Sequence, residues 1–290
     1  MSAMPRIERA LESALQSADA AGAPPKLAAA MRHAVFPGGA RIRPQLLLAV
    51  ARACGDDDPL LADGAAAAVE LLHCASLVHD DLPCFDDALT RRGRPSVHCA
   101  YGERIAVLTG DALIVLAFQH LGACAASSPQ RLPRLLSTLS AGVGMPWGIA
   151  AGQAWECESR TVLRDYQRAK TGALFAAATA AGAEAAGAES ARWRTLGEWL
   201  GEAYQVADDI RDVLADPLML GKPVGRDAAL GRPSAAREQG LGGALDRFDT
   251  LVQQAVEAVP ACRGAEGLRM LVRAEAQRLV PRPMRAELVA

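Results

Sequence analysis

Hydrophobic positions recur at helical spacing along almost the whole chain, and no stretch alternates polar and apolar residues as a half-buried strand would. Clusters of glycine, proline and short polar residues interrupt this pattern and mark the ends of helices. The interruptions fall at residues 22–25, 37–39, 55–59, 83, 93–95, 127–133, 182–187, 216–233 and 260–267. The pattern predicts about eight to ten helices in an all-α fold. No shift in composition marks a boundary, so we expect one domain over residues 1–290.

The composition supports helices and excludes several classes of protein. Hydrophobic residues make up 51% of the chain and aromatic residues 4%, and alanine and leucine favour helix. The net charge of -2 gives no basic field for nucleic acid. Seven cysteines without a CxxC pair are typical of a reduced, cytoplasmic protein. The charged N-terminus and the lack of long uninterrupted apolar runs predict neither a signal peptide nor a membrane span.

The first group of acidic residues follows a long apolar segment. It comprises Asp80, Asp81, Asp86 and Asp87. Pro83 disfavours helical geometry in the residue before it, so the helix should end near Asp80. The helix dipole disfavours carboxylates at that end by about 0.3–1 kcal/mol each, and a bound cation would reverse the sign of this effect.

The second group of acidic residues has helical spacing. Gln205, Asp208 and Asp212 share one helix face, with Asp209 beside them. An apolar stripe is predicted next to this face, formed by Ala203, Val206, Ile210 and Val213. Carboxylates in that position are expected to line a cavity, although either acidic group alone could also be a solvated patch.

The donor types indicate a metal-bridged polyphosphate. Carboxylate oxygens without histidine or cysteine partners suit Mg2+ better than zinc. Arginine forks bind phosphate oxygens in pairs, and lysine adds a point charge. No P-loop motif is present. The basic and hydroxyl residues near the acidic groups are Arg41, Arg43, Arg91, Arg92, Arg94, Lys170, Thr171, Lys222 and Arg226.

Four motifs resemble those of the trans-isoprenyl diphosphate synthases, over Met31 to Ser234. They are GGARIRP, LLHCASLVHDDLPCFDDALTRRGRPS, AYQVADDIRDV and GKPVGRD. The first aspartate-rich motif has the bacterial form, with two additional residues between its aspartates. The resemblance implies an isoprenoid synthase helix bundle around a deep central cavity, usually as a homodimer.

The resemblance also implies a role for each matching residue. Mg2+ would be held by Asp80, Asp81, Asp86, Asp208, Asp209 and Asp212. The allylic diphosphate would contact Arg91, Lys170 and Lys222. Isopentenyl diphosphate would bind to Arg43, His73 and Arg92, with Arg41 nearby. Thr171 and Gln205 would line the reacting carbons, and Gln153 and Glu156 would support the site from behind.

Two positions depart from the family pattern. Ala40 stands where the family usually has a lysine that binds isopentenyl diphosphate, and Arg232 stands where lysine is common. The loss of a charged contact weakens binding by about 1.5–3 kcal/mol. Ala40 therefore motivates one alternative reading, a non-catalytic subunit of a heteromeric synthase, which the retained aspartates oppose.

The expected reaction is transfer of an allylic group to isopentenyl diphosphate with release of diphosphate. Ala75, five residues or about 7.5 Å before Asp80 along a helix, would leave the tunnel open, with Ser76 beside it. Family members that make farnesyl diphosphate often have an aromatic residue at this position. The expected product is therefore (2E,6E,10E)-geranylgeranyl diphosphate, for isoprenoid or carotenoid biosynthesis. A farnesyl diphosphate synthase remains an alternative, as does a terpene cyclase, which the scarcity of aromatic residues opposes.

Overall fold

The computed structural model describes residues 3–36, 38–159, 162–214 and 235–281, and it confirms the all-α prediction. The helices of these ranges are α1 (Ala3–Ala18), α2 (Pro25–Val35), α3 (Ile42–Cys54), α4 (Pro59–Asp80), α5 (Val97–Tyr101), α6 (Glu103–Cys124), α7 (Leu132–Val143), α8 (Ile149–Ala154), α9 (Leu163–Gln167), α10 (Ala173–Ala185), α11 (Ala191–Leu214), α12 (Ala235–Glu257) and α13 (Ala265–Leu279). Short 3-10 turns occupy Pro129–Arg131 and Trp155–Cys157. A π-helical segment, Arg168–Gly172, joins α9 to α10.

The chain divides into two compact units. The first unit comprises Met1–Ser140 and Ala181–Glu189, and the second comprises Ala141–Ala180 and Ser190–Ala290. Each unit is described separately below. The single domain over residues 1–290 and the deep central cavity stay predictions.

Helix α4 forms the centre of the first unit. Its consecutive alanines, Ala65 to Ala68, have no exposed surface, and Leu71 and Leu72 beside them are buried as well. Gly64 lets α6 approach closely, since a Cβ there would lie 2.5 Å from the Cβ of Cys124. Small side chains therefore place the backbone of α4 within reach of its neighbours, and they fix the direction in which its last turn points.

Both ends of α4 have an identifiable cause. Asp58 caps the start, where its carboxylate accepts a hydrogen bond of 3.2 Å from the N–H of Leu61, and Pro59 occupies the first turn. The helix ends at Asp80, with Asp81 as the capping residue. The helix end that Pro83 predicts is thus confirmed, and it places the first acidic group at the negative end of the helix dipole.

A two-stranded hairpin interrupts the helices, although the sequence pattern predicts no strand. Strand β1 (Thr90–Arg91) pairs antiparallel with β2 (Arg94–Pro95). The two residues between them, Arg92 and Gly93, have φ values of 54° and 74°. Positive φ at both central residues is the geometry of a type I′ turn, which matches the twist of a tight hairpin. Strands this short are set by their turn and leave no periodicity in the sequence.

The predicted interruption at 182–187 contains the end of α10 at Ala185, and one further break is not predicted. Gly182 lies inside α10 because its missing side chain allows close packing: a Cβ there would lie 2.4 Å from the carbonyl oxygen of Leu47. The chain also breaks between α7 and α8 around Pro146, where no break is predicted. The predicted interruption at 216–233 lies outside the described residues.

Helices α11 and α12 carry the core of the second unit. Val206, Ile210 and Phe248 have no exposed surface and belong to one apolar cluster with Ala203 and Leu251. The apolar stripe predicted beside the second acidic group is thus present over most of its length. The prediction that Val213 is the last member of this stripe is wrong, because its side chain is 52% exposed near the end of α11.

In the described part of the chain, two helices are long and apolar enough to cross a membrane by length and composition alone. They are α4 and α6, whose most apolar windows are 78% and 39% buried. One or two such helices are weak indications of a membrane span, because buried core helices have the same composition.

Close packing at Gly64 yields a stability prediction. Gly64→Ala should lower the free energy of unfolding by about 1–3 kcal/mol, because its Cβ would overlap Cys124. Gly122→Ala is the matched control on α6, where an added Cβ meets nothing within 4 Å. That variant should gain about 0.5–1 kcal/mol from helix propensity. Urea unfolding followed by circular dichroism measures both values, and equal effects would contradict the packing described for Gly64.

Candidate active site

A tight loop after α4 gathers the carboxylates of the first acidic group. The N–H of Asp86 donates to the carbonyl of Asp80 at 2.9 Å, and the N–H of Asp87 donates to the carbonyl of Leu82 at 3.0 Å. These bonds fold the chain back on the helix end, and Asp87 takes a φ of 45° to do so. Carboxylate oxygens of Asp80 and Asp86 consequently lie within 4.8 Å of each other.

The chemistry of this pair fits a divalent metal. Two carboxylate oxygens at this separation repel each other without a cation, and oxygen-only ligands suit Mg2+, which retains water and takes phosphate oxygens as further ligands. Asp80 and Asp86 are half-buried, so a metal there would remain open to a substrate. Both were predicted as metal ligands, and the geometry of the loop is compatible with that role.

Asp81 differs from its neighbours because its carboxylate is directed at a cation of the protein. It is 2% exposed and accepts a hydrogen bond of 3.0 Å from Nε of Arg91. Burial raises the pKa of Asp81, and Arg91 opposes this shift. The arrangement makes Asp81 a holder of Arg91, which is a predicted diphosphate ligand. Its predicted role as a metal ligand stays a prediction.

The GGARIRP motif provides space for two guanidinium groups. A Cβ on Gly38 would lie 2.2 Å from the guanidinium of Arg41, and a Cβ on Gly39 would lie 3.0 Å from Nε of Arg92. Arg41 takes a left-handed conformation, with φ 50°, immediately before α3. The two glycines are therefore needed because arginine side chains lie directly against the backbone.

Arg41 is a structural cation in this arrangement. It is 2% exposed, and it donates hydrogen bonds of 2.7 Å to Glu70, 2.9 Å to Glu8 and 2.8 Å to the carbonyl of Val35. A guanidinium held on three sides has few donors left for a ligand. The expected position near the isopentenyl diphosphate site is retained, and direct contact with substrate is not favoured.

The other residues predicted to bind isopentenyl diphosphate lie together in the first unit. Nη1 of Arg43 lies 3.4 Å from Nε2 of His73, and Nη2 of Arg92 lies 3.6 Å from the carboxylate of Glu70. Burial, followed by the positive charges of Arg43 and Arg92, holds the pKa of His73 well below its usual range. Burial and the neighbouring guanidinium groups therefore both favour the neutral form of His73.

The predicted chain-length residues occupy the face of α4 that precedes the acidic group. Ala75 is 1% exposed, and the hydroxyl of Ser76 donates to the carbonyl of His73 at 2.8 Å. Their role in product length stays a prediction.

The predicted site residues of the second unit depend on the π-helical segment Arg168–Gly172. Glycines on both sides allow close packing against it. A Cβ on Gly152 of α8 would lie 2.3 Å from the backbone nitrogen of Lys170, and a Cβ on Gly201 of α11 would lie 2.5 Å from Cα of Gly172. Single π-helical turns occur frequently at functional sites, and this turn carries Lys170 and Thr171.

A carboxylate holds the side chain of Lys170. Glu156 forms a short ion pair with the ammonium group and accepts a hydrogen bond of 2.6 Å from the hydroxyl of Tyr166. The amide of Gln153 donates to the second oxygen of Glu156 at 3.2 Å. Glu156 thus contacts Lys170 directly, and Gln153 contacts Glu156. Their supporting role stays a prediction, and Tyr166 is an addition that the sequence did not suggest.

Thr171 and Gln205 form a polar chain that continues to the second acidic group. The hydroxyl of Thr171 donates to the amide oxygen of Gln205 at 2.8 Å, and the amide nitrogen donates to Asp209 at 3.0 Å. Asp209 is 5% exposed, whereas Asp208 is half-buried and accepts a hydrogen bond of 2.9 Å from Arg211. Asp208 is therefore more accessible to a ligand than Asp209. Asp212, also half-buried, lies one turn further along α11.

Some predicted residues cannot be placed, and one charged residue of importance was missed. Lys222, Arg226 and Arg232 lie outside the described residues. Arg94 donates to the carbonyl of Phe36 at 2.8 Å and is thereby tied to the backbone. Glu70 was missed, although its position offered a signal: it is a single carboxylate in the otherwise apolar run that leads to the first acidic group.

Similarity to known proteins identifies the family of this chain. The profile of the polyprenyl synthetase family matches residues 24–261. The chain belongs to the polyprenyl synthetase family. It is 54% identical to a geranylgeranyl diphosphate synthase of Cereibacter sphaeroides, covering 95% of this chain and 96% of that protein. It is 48% identical to a geranylgeranyl diphosphate synthase of Rhodobacter capsulatus, covering 99% of each.

Solved structures of the family have the same fold. This polyprenyl synthetase is similar to the geranyltransferase of Helicobacter pylori in complex with magnesium and isoprenyl diphosphate, with a TM-score of 0.82 and 30% identity over 95% of this chain and 96% of that one. It is also similar to the geranyltransferase of Legionella pneumophila, with a TM-score of 0.81 and 27% identity over 96% and 94% of the two chains.

Proposed function

We propose that this polyprenyl synthetase condenses isopentenyl diphosphate with an allylic diphosphate to form (2E,6E,10E)-geranylgeranyl diphosphate, with release of diphosphate. The observation that carries the proposal is the end of α4, where the paired carboxylates of Asp80 and Asp86 are followed by the guanidinium groups of Arg91 and Arg92. Groups of both signs in one place suit a metal-bound diphosphate. The two relatives at 54% and 48% identity support the choice of product.

The first chemical step breaks the C–O bond of the allylic diphosphate. The bonding electrons leave with the diphosphate, so negative charge grows on oxygens that Arg91 and Lys170 are proposed to hold. Cations fixed in place stabilise this charge in the transition state more than in the ground state. Asp81 and Glu156 hold these two cations in the absence of substrate. Mg2+ bound by carboxylates of the two acidic groups would neutralise further charge on the leaving group.

The second step forms the new carbon–carbon bond. Isopentenyl diphosphate, held by Arg43, His73 and Arg92, donates the electrons of its double bond to the allylic cation. The Thr171 hydroxyl and the Gln205 amide place polar atoms that stabilise positive charge without forming a bond to it. Loss of a proton, which the released diphosphate accepts, then restores a double bond in the product.

Ala40 requires an account, since it leaves the isopentenyl diphosphate site without the lysine that is usual in the family. The first unit still supplies Arg43 and Arg92, and Arg41 adds positive charge nearby. Two guanidinium forks can satisfy a diphosphate with several hydrogen bonds each. We therefore propose a catalytically active chain and not a silent subunit.

The proposed reaction is tested with the purified chain, Mg2+, labelled isopentenyl diphosphate and each of the dimethylallyl, geranyl and farnesyl diphosphates as starter. Chromatography should show geranylgeranyl diphosphate. Asp80→Asn and Asp208→Asn should each lower kcat by about 10³-fold or more, because a carboxylate ligand is lost. Asp246→Asn, at an exposed carboxylate of α12, is the matched control and should retain full activity.

Chelation by EDTA should abolish turnover, and added Mg2+ should restore it. A chain that makes only farnesyl diphosphate would support that alternative product. A chain without turnover alone, but active when mixed with a second synthase subunit, would reject the proposal.

Product length is proposed to depend on Ala75. Its small, buried side chain lies on α4 at a distance of about 7.5 Å from Asp80 along the helix axis. Ala75→Tyr should shift the product from twenty carbons to fifteen, because the ring would occupy the path of the growing chain. Ala68→Val, two turns deeper on α4, tests whether any added bulk shortens the product, and it should not. Thin-layer chromatography of the dephosphorylated products measures both, and an unchanged length with Ala75→Tyr would contradict the assignment.

A cytoplasmic homodimer is the proposed form of the protein. Helix α6 carries three exposed apolar side chains: Val107 at 42%, Leu108 at 50% and Val115 at 55%. Apolar residues at helical spacing on one surface are typical of a subunit interface. We propose that a second copy of the chain covers this surface.

The double variant Leu108→Glu/Val115→Glu should convert the dimer to a monomer, because two desolvated carboxylates would oppose association. Met270→Glu on α13, at a side chain that is 63% exposed, is the control and should leave the assembly unchanged. Size-exclusion chromatography with light scattering measures the mass. A wild-type monomer, or a dimer that survives the double change, would reject this interface.

A further inference from the structure

Glu70 is a buried carboxylate in an apolar helix, outside the set of residues proposed to contact metal or substrate. It lies on α4, one turn before Cys74, and is 2% exposed. Its Oε1 atom accepts a hydrogen bond of 2.7 Å from Nη1 of Arg41. The same oxygen lies 3.6 Å from Nη2 of Arg92. One buried oxygen is thus shared between a structural cation and a predicted substrate ligand.

Arg41 does not depend on Glu70 alone. Its Nε donates to Glu8 at 2.9 Å and its Nη2 donates to the carbonyl of Val35 at 2.8 Å. The cation therefore keeps a second carboxylate and a backbone acceptor if the charge of Glu70 is removed.

The guanidinium of Arg92 has fewer charged partners than that of Arg41. Within the described ranges, its ion pair is the one with Glu70, and its Nη1 atom is buried without a hydrogen-bond partner. Its backbone is held at φ 54°, and its Nε lies against the backbone at Gly39. A buried donor without a hydrogen-bond partner calls for an explanation, and a ligand at this position would provide one.

We infer that Glu70 is a positioning residue for isopentenyl diphosphate: its carboxylate fixes the guanidinium of Arg92 so that Nη1 is available to a diphosphate oxygen. This inference rests on the proposed function. Attraction between charges 3.6 Å apart is strong where water is excluded, so Glu70 narrows the positions that Arg92 can take. Glu70 touches no reacting atom, and it acts through Arg92.

The competing reading is that Glu70 only balances the buried charge of Arg41. The two readings predict different effects of removing the charge of Glu8 on the binding of isopentenyl diphosphate. Glu8 contacts Arg41 and has no ion pair with Arg92 among the described residues. Glu8→Gln is therefore the matched control: it removes a carboxylate from Arg41 and leaves the pair of Glu70 and Arg92 in place.

The test is calorimetric binding of isopentenyl diphosphate alone, which does not require turnover. Glu70→Gln should weaken binding about tenfold, which corresponds to about 1.4 kcal/mol, whereas Glu8→Gln should change it less than about twofold. In an Arg92→Gln background, Glu70→Gln should have no further effect, since the two residues act as a unit. In steady-state assays, KM for isopentenyl diphosphate should rise, while kcat and KM for the allylic substrate change little.

Each outcome decides the matter. Equal binding by the wild type and Glu70→Gln, or equal losses in Glu70→Gln and Glu8→Gln, would overturn the inference and leave the proposed function intact. A wild-type chain that does not bind isopentenyl diphosphate would overturn both. Thermal unfolding verifies that each variant is folded. If Glu70→Gln does not fold, Glu70→Asp, which keeps the charge but withdraws it by one methylene, replaces it under the same criteria.

Discussion

Three charged pairs within the protein hold side chains of the candidate site, and this pairing of charges shapes the rest of the site. Asp81 holds Arg91, Glu156 holds Lys170, and Asp208 pairs with Arg211. A partly buried cation without such a partner would destabilise the folded protein, because moving an unpaired charge out of water costs several kcal/mol of solvation free energy. Asp81 and Glu156 therefore offset the cost of burying Arg91 and Lys170, and in this way they stabilise the folded protein.

Backbone geometry makes this charge balance possible. Gly38 and Gly39 let guanidinium groups lie against the main chain, and Gly152 and Gly201 let two helices pack against the π-helical segment. A methyl group at any of these positions would displace a charged side chain or the segment that carries it. The glycines thus contribute to the site indirectly: they leave the space that the arginine side chains and the π-helical segment occupy.

The fold class and the ends of the main elements could be predicted from the sequence, because they depend on local rules. Pro83 determines where α4 ends, and helical spacing brings Gln205 and Asp208 to one face. The prediction failed where tertiary packing decides the result. The interruption predicted over 182–187 begins only after Ala185, because Gly182 allows close packing against the carbonyl of Leu47. The break around Pro146 was not predicted. The tight hairpin after the first acidic group was missed because turn geometry, not periodicity, creates it.

In the candidate site, too, the sequence motifs predict which residues take part, whereas tertiary packing determines which partners their side chains face. The aspartates and arginines could be identified as site residues from their motifs, but not which of them face a ligand and which face each other. Adjacent residues differ most: a carboxylate oxygen of Asp80 lies within 4.8 Å of one of Asp86, whereas Asp81 is turned into the protein toward Arg91. Successive residues on a helix point about 100° apart, so a pair of neighbouring carboxylates is divided between two tasks by geometry alone.

The same charge balance restricts the kind of ligand that the first unit can bind well. A free cation would be attracted by Asp80 and Asp86 but repelled by the guanidinium groups that follow them, and a free anion would meet the opposite problem. A diphosphate that carries a divalent metal presents both signs together, so it can satisfy the carboxylates with its metal and Arg91 and Arg92 with its oxygens. The proposed preference for a metal-bound diphosphate thus rests on both signs of charge lying on one short stretch of chain at the end of α4.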